Sequence, residues 1–413
     1  MGSRQTVGVL TVILDNKPFD DVSADDILAL IPEVAENRRL DYKRSLPENN
    51  EKSIRSFLND VCALANSAGG WLIYGIDEER DEDGSKTGIP CEVCGVGEVN
   101  EDEAIRDWQQ RITQAIEPRL IGHRVDFING FEDGKKVMVV FVQKSLFAPH
   151  RTNYKGVKEF YLRHDRFNMP MEMTEIRHGF VEAKQVPQKI DEFRRLRVMQ
   201  ILAGETPIEV LTEPPVFVCH LIPLSSFAED AAVDITRITG QNPMRVMGSS
   251  VGSGRLNADG YLYSSVRGAD YARAYVQVYR NGTIEMVSTE RDIVRGMSGG
   301  IPLLPSQWQE QEFIAFVGAA IDLLKYLGVQ PPIYIGLSLL RVKGVAMALP
   351  QNRFFDQGQL IDKDKLIIPT VTSETMDEPV DRLLHPAFNA IWQASGMPKS
   401  IYYNEDGDWA PSR

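Results

Sequence analysis

The sequence predicts an α+β protein of two domains, and three observations carry that expectation. The chain has 413 residues, more than one ordinary core organises. A helical apolar stripe over residues 51–67 runs through a Gly-Gly pair into a continuous apolar strand over 71–76. Further strand patterns follow at 124–128, 137–142 and 157–163, with helices around them and no internal repeat. The first domain is expected over residues 1–184, a helical linker over 185–204, and a second mixed α/β domain over 205–413.

Each element follows from local chemistry. Residues 7–14 (VGVLTVIL) are rich in β-branched side chains and read as a strand. Ser23 is placed as the N-cap of a short helix over 25–30, with Asp25 and Asp26 at the positive end of its dipole. Residues 39–43 (RLDYK) alternate, so Leu40 and Tyr42 share one strand face and Asp41 and Lys43 the other. Ile54, Phe57, Leu58, Val61, Cys62, Leu64 and Ala65 form the stripe of the 51–67 helix. Gly69-Gly70 ends that helix, because glycine reaches the left-handed conformation a C-cap needs. The strand after it is apolar throughout, which predicts burial on both faces. It stops in an acidic turn over 77–84.

A second amphipathic helix covers 101–116 and closes at Pro118; helices are also expected at 174–183 and 189–202. In the second domain, 217–224 reads as a strand, and strands 274–280 and 283–287 flank the hairpin signal Asn281-Gly282. Ser306 and Gln309 have capping-box spacing before a helix that ends at Gly328. Pro331-Pro332 forbids its continuation, and 333–340 resumes as a strand.

Composition narrows the class. Hydrophobic residues are 43% and charged residues 25%, which is globular and not disordered or low-complexity. The net charge of −13 argues against nucleic-acid binding over the whole surface, though not against a local basic groove. Four cysteines suit a reduced, cytoplasmic protein better than a disulfide scaffold. No apolar run is long enough for a membrane span, and no small-residue cleavage site follows the short apolar run at 7–14.

The informative constellation is acidic. Glu36 precedes Asp41, which shares a strand face with Lys43, and Asp77 and Glu78 end the buried strand. Carboxylates at strand ends can converge on a divalent cation. Mg2+ and Mn2+ prefer such oxygen ligands, and a bound ion can activate water beside a phosphoryl group. Lys43 could hold a phosphate oxygen. The plain alternative is that these acids are solvated loop and strand-end residues.

A second constellation is basic. Residues 144–166 carry Lys144, Arg151, Lys155, Lys158, Arg163 and Arg166 against only Glu159 and Asp165, with Phe147, Tyr154, Phe160, Tyr161 and Phe167 between them. Cations for phosphate and rings for bases suit RNA; a solvated strand with core aromatics accounts for the same letters. His150, Arg151 and Arg163 are the expected phosphate contacts.

Other motifs are weaker. Cys91-xx-Cys94 has zinc spacing but lacks a second ligand pair, with His123 a third ligand by order alone. No Gly-xxxx-Gly-Lys-Ser/Thr occurs, which argues against P-loop ATP binding. Asn66 and Gly69-Gly70 are expected to end the helix, with a phosphate cradle as the alternative. Cys219-His220 reads as buried packing within a strand.

The pattern Glu36-xxxx-Asp41-Tyr42-Lys43, followed by Cys62-Ala63-Leu64-Ala65-Asn66-Ser67-Ala68-Gly69-Gly70 and Gly75-Ile76-Asp77-Glu78, resembles the Schlafen AlbA-like domain. Ile116-Glu117-Pro118, Ala148-Pro149-His150-Arg151 and Phe160-Tyr161-Leu162-Arg163 extend the resemblance over about residues 23–184. Members of that family include metal-dependent endoribonucleases that cut transfer and ribosomal RNA. The resemblance implies carboxylate ligands at Glu36, Asp41 and Glu78, with Asp77 as a substitute, Lys43 beside them, and Mg2+ or Mn2+ as cofactor. Together with the basic segment, this makes Lys144, His150, Arg151, Lys155, Lys158 and Arg163 the expected RNA contacts. Asp41 stands where the family has glutamate and Glu78 where it has aspartate, so each charge moves by one methylene, about 1.5 Å, in opposite directions. The family clamp joins two such lobes and this chain shows one, which implies a homodimer or larger homo-oligomer. A metal-dependent endoribonuclease acting on structured RNA such as tRNA, in antiphage defence, is thus one expectation. A non-catalytic nucleic-acid-binding regulator or assembly component on the same fold is the other.

Overall fold

The computed structural model describes the chain except residues 1–13, 15–16, 18, 211–214, 229–230, 240–243, 245, 248–253, 266–271, 290–296, 299–300, 350–358 and 412–413. The strand expected over 7–14 therefore lies, Leu14 apart, outside the described residues. The chain divides into two compact units, Met1–Gln188 and Lys189–Arg413, each with helices and sheets.

The first unit begins with α1 (Ala24–Leu28), where Asp26 accepts hydrogen bonds from the Ser23 amide and hydroxyl. Next come β1 (Leu40–Lys43), α2 (Glu51–Asn66) and β2 (Gly70–Tyr74). A hairpin of β3 (Ile76–Arg80) and β4 (Lys86–Val93) precedes α3 (Glu101–Ala115). β5 (Ile116–Glu117), β6 (His123–Ile128) and β7 (Val137–Val142) follow. Four short strands complete the unit: β8 (Arg151–Tyr154), β9 (Val157–Glu159), β10 (Tyr161–His164) and β11 (Phe167–Pro170).

The central sheet has the order β1-β2-β7-β6, with β1 parallel to β2 and the other pairs antiparallel. Both of its faces are buried, as the apolar run predicts. Leu72 and Tyr74 join α2 and α3 in one core with Phe57, Val61, Trp108 and Ile112. Trp71 and Ile73 pack on the opposite face with Ile27, Leu30, Tyr42 and Val139. Each such side chain contributes about 1.5–3 kcal/mol by leaving water.

The Gly69-Gly70 corner is required by close approach. A Cβ on Gly70 would lie 2.0 Å from the Arg39 carbonyl oxygen, and one on Gly69 would lie 2.5 Å from the Lys144 amide nitrogen. Three expectations change here. The acidic segment 77–84 is not one turn, because Ile76–Arg80 pairs with Lys86–Val93 and leaves only 81–85 as the turn. The strand expected at 157–163 is broken at Phe160 into β9 and β10. The helices expected at 174–183 and 189–202 are one helix, α4 (Met173–Ala203), which runs through Pro187. Its buried residues Val186, Ile190, Arg194, Val198 and Ile201 keep one stripe past the proline, so packing overrides the local break.

The second unit is built on an eight-stranded sheet. Its strands are β12 (Val216–Pro223), β13 (Gly254–Leu256), β14 (Gly260–Ser264), β15 (Ala274–Tyr279) and β16 (Ile284–Ser288). β17 (Met297–Ser298) and β18 (Ile301–Leu304) precede α5 (Ser306–Tyr326). β19 (Ile333–Leu340), β20 (Ala346–Met347), β21 (Lys365–Ile367), β22 (Val371–Ser373) and α6 (Val380–Ala394) follow. The order is β13-β14-β15-β16-β12-β19-β21, with β22 also on β19, and β17-β18-β20 forms a separate small sheet. Asn281-Gly282 makes the expected β15–β16 hairpin.

Phe313, Phe316, Phe388 and Trp392 of α5 and α6 share a core with Phe217, Cys219 and Met286 of the sheet. The other face meets Val198 and Ile201 through Val216, Val218, Tyr275 and Val287. The capping box expected at Ser306 is absent. Pro305 is the N-cap, and the Ser306 hydroxyl donates instead to the Ala348 carbonyl at 2.6 Å.

Candidate functional site

β1 is an edge strand, and alternation splits its side chains as expected. Leu40 and Tyr42 enter the core, while Asp41 and Lys43 take the opposite face. Lys43 Nζ lies 2.8 Å from Asp41 Oδ2 and 3.8 Å from Asp60 Oδ2, Asp60 being on α2. Arg163 on β10 places Nη1 3.3 Å from Asp41 Oδ2. Its other nitrogens donate to the Asn37 and Leu40 carbonyls. Asn168 on β11 donates to Asp60 Oδ1. Four separated segments thus meet at one buried polar cluster.

Glu36 closes the open side of β1. Its carboxylate accepts the Tyr42 amide at 2.9 Å, and its own amide donates to the Gly88 carbonyl at 2.7 Å. Burial, a hydrogen bond with Asp41, and the charges of Asp41 and Glu78 push the Glu36 carboxyl up to about 8. Burial also raises Asp41, but Lys43, the Glu36 hydrogen bond and Arg163 outweigh it and hold Asp41 below the usual carboxylate range. Burial pushes Asp60 up to about 6, against the pull of Lys43. Like charges in one low-dielectric site cannot all ionise, so Glu36 keeps a proton near neutrality.

Glu78 turns inward, where its charge acts on Glu36, and Asp77 does not. On β3 their side chains alternate: Glu78 is 5% exposed and pairs with Lys86, whereas Asp77 Oδ2 pairs with Arg44 at 2.8 Å. Asp77 therefore leaves the expected ligand set. Glu36, Asp41 and Glu78 fit Mg2+ or Mn2+ in donor chemistry, being all-oxygen, close enough to interact and carrying a proton a cation can displace. Among the described residues no three His, Cys, Asp or Glu side chains stand as a ready metal shell. Lys43, Arg163 and Lys86 hold carboxylate oxygens instead. The same absence covers zinc at Cys91 and Cys94, whose thiols donate to the Asp77 and Arg44 carbonyls.

The basic segment divides. His150 is 1% exposed, its ring nitrogens 2.7 Å from the Pro118 carbonyl and 2.7 Å from Ser145 Oγ. Burial lowers its pKa, so it is a neutral structural residue and not a phosphate contact. Arg163, 5% exposed, is committed to the cluster and likewise does not face solvent, contrary to the expected phosphate contact. Lys144, Lys155 and Lys158 are exposed. Lys155 lies 3.4 Å from Glu51, and Arg151 is held by Glu117 at 2.9 Å.

Asn66 is neither a phosphate cradle nor a helix cap. Its amide donates to the His150 and Tyr161 carbonyls at 2.8 and 2.7 Å, and its oxygen accepts the His150 amide at 2.7 Å. It ties the end of α2 to the β8 and β10 segments. Asp60, Lys86 and Asn168 escape the sequence reading. The one available signal is Asp60, a lone acid on the apolar side of α2 between Phe57 and Val61.

The fold and cluster define an α+β domain with buried carboxylates beside basic strands. Residues 36–172 match the family model of the Schlafen AlbA_2 domain. That stretch of the first unit is similar to a Schlafen AlbA-like domain. Among matching solved structures is the N-terminal domain of a RecG-related protein from Nitrosomonas europaea. It is 22% identical, with 37% of this chain and 93% of that one covered and a TM-score of 0.27. A Corynebacterium diphtheriae protein matches at 16% identity, over 35% of this chain and 28% of its own, with a TM-score of 0.24. No curated protein matches the chain.

Proposed function

We propose that the chain is a divalent-metal-dependent endoribonuclease acting on structured RNA such as tRNA, with its centre at Glu36, Asp41 and Glu78. What supports this reading is Glu36, fixed against β1 by the Tyr42 amide and hydrogen-bonded to Asp41, with the inward-facing Glu78 charge also acting on it. Mg2+ or Mn2+ held by these residues would polarise the phosphodiester and stabilise its developing charge. The chain's own groups have separate tasks. Lys43 faces Asp41 and can neutralise a phosphate oxygen. Arg163 and Asp60 fix the position of Asp41 and Lys43. Lys144, Lys155, Lys158 and Arg151 supply positive charge along the RNA.

A second reading has its own support. Asp41 and Glu78 already carry cations of this chain, which suits a binding protein whose acids are structural. Cleavage of tRNA in Mn2+ separates the two. The nuclease reading predicts cutting that falls at least about 100-fold in Glu36→Ala and Asp41→Ala. Cutting that survives unchanged in both variants removes this centre. Salt-sensitive binding with no cutting favours the regulator.

A further inference from the structure

The β10–β11 hairpin carries two side chains that neither the cluster nor the basic strands use. Its turn passes through Asp165 at φ 55° and presents Arg166 and Phe167. Alternation along β11 fixes their direction. Asn168 points inward to Asp60, so Phe167 and Met169 point out, 61% and 52% exposed. A phenylalanine that open contributes little to the core. Arg166 lies over it, with the guanidinium carbon 5.2 Å from the ring centroid. One N–H of Arg166 donates to the Thr87 carbonyl at 2.8 Å, which leaves most of its donors for another group.

The pair sits at the rim of the carboxylate centre. A Cβ on Gly88 would stand 3.2 Å from Arg166 Nη1 and 3.4 Å from Glu36 Cβ. Both side chains therefore flank the same glycine. The hairpin is rooted in the cluster through Asn168 and carries a cation and an open ring beside Glu36. An exposed ring offers a face to any base, and a guanidinium beside it offers charge to the adjoining phosphate. A fully paired helix hides its base faces, so this chemistry selects an unpaired nucleotide.

We infer that the hairpin tip is a stacking platform for an unpaired nucleotide, with Phe167 against the base and Arg166 on the phosphate. The inference rests on the RNA reading above and specifies its substrate class: RNA with an unpaired base beside the bound phosphodiester.

Fluorescence anisotropy with the full chain in EDTA tests it. The probes are a short labelled single-stranded oligoribonucleotide and the same strand annealed to its complement. Phe167→Ala should weaken single-strand binding about ten-fold and duplex binding less than about two-fold, while Phe167→Trp keeps the wild-type affinity. Lys144→Ala with Lys158→Ala should weaken both probes alike. Unchanged single-strand binding in Phe167→Ala, or equal loss on both probes, overturns the platform while the RNA reading stands. So does a fall in light-scattering mass with RNA binding unchanged, which would make the tip a contact between copies of the chain. A wild-type protein that binds neither probe overturns the RNA reading and the platform together.

Discussion

Glu36, half-buried, and Glu285, fully buried, have opposite electrostatics. Burial and then Asp41 and Glu78 raise Glu36 to about 8, so the folded chain holds its proton more tightly than the unfolded chain does. Its stabilising contribution is full below about pH 4.5 and is lost as pH rises toward about 8. Glu36→Gln should remove that loss. Melting temperatures of the two proteins should therefore separate, with the wild type falling relative to the variant between about pH 5 and 8. Glu285 has no exposed surface, yet Arg197 at 2.7 and 2.8 Å and His220 at 2.9 Å hold it down at about 2 against burial. Its contribution is present above about pH 4.5 and is lost as pH falls toward about 2. Glu285→Gln leaves Arg197 without its counter-charge. Denaturant unfolding should show a loss of about 3–5 kcal/mol. Sequence alone does not reveal this cluster, because Arg197, His220 and Glu285 are far apart in the chain and only the second unit's sheet and α4 join them.

At the scale of elements, α2 and the hairpins set the site. Asn66 makes three hydrogen bonds that fasten the α2 terminus to the β8 and β10 segments. Asn66→Ala should cost about 2–3 kcal/mol, read as a lower denaturation midpoint, because buried backbone groups lose their partners. Helices α2, α3 and α5 and the longer sheet strands were legible because apolar periodicity is a local property: β7 and β19 have the predicted bounds, whereas α6 and the short strands of two to five residues such as β8, β11 and β20 were not expected. β3 was not, because Asp77, Glu78, Glu79 and Arg80 read as a charged turn, while strand pairing needs only backbone. Its register shifts beside Glu78 have no sequence signal. The candidate site was half legible. Motif order gave Glu36, Asp41, Lys43 and Glu78. Burial, which spacing does not report, decided that His150 and Arg163 face inward and that Asp77 turns to Arg44.

At the scale of the molecule, a net charge of −13 coexists with an RNA reading only if the basic groups are local. The exposed lysines of residues 144–158 and the Arg166 tip meet that condition. No described helix is long and apolar enough to cross a membrane. We propose that the chain forms a homo-oligomer. Light scattering should then give a multiple of the 46.4 kDa chain mass, and a monomeric mass at micromolar concentration contradicts it. Glu36, Asp41 and Glu78 are proposed as a cation centre with a displaceable proton. Isothermal titration of Mn2+ near pH 7, repeated in buffers of different ionisation enthalpy, tests it most directly. A cation centre there gives saturable binding with about one proton released per ion, and no release from Glu36→Gln. Absence of binding in the wild type, or binding without proton release, would contradict it.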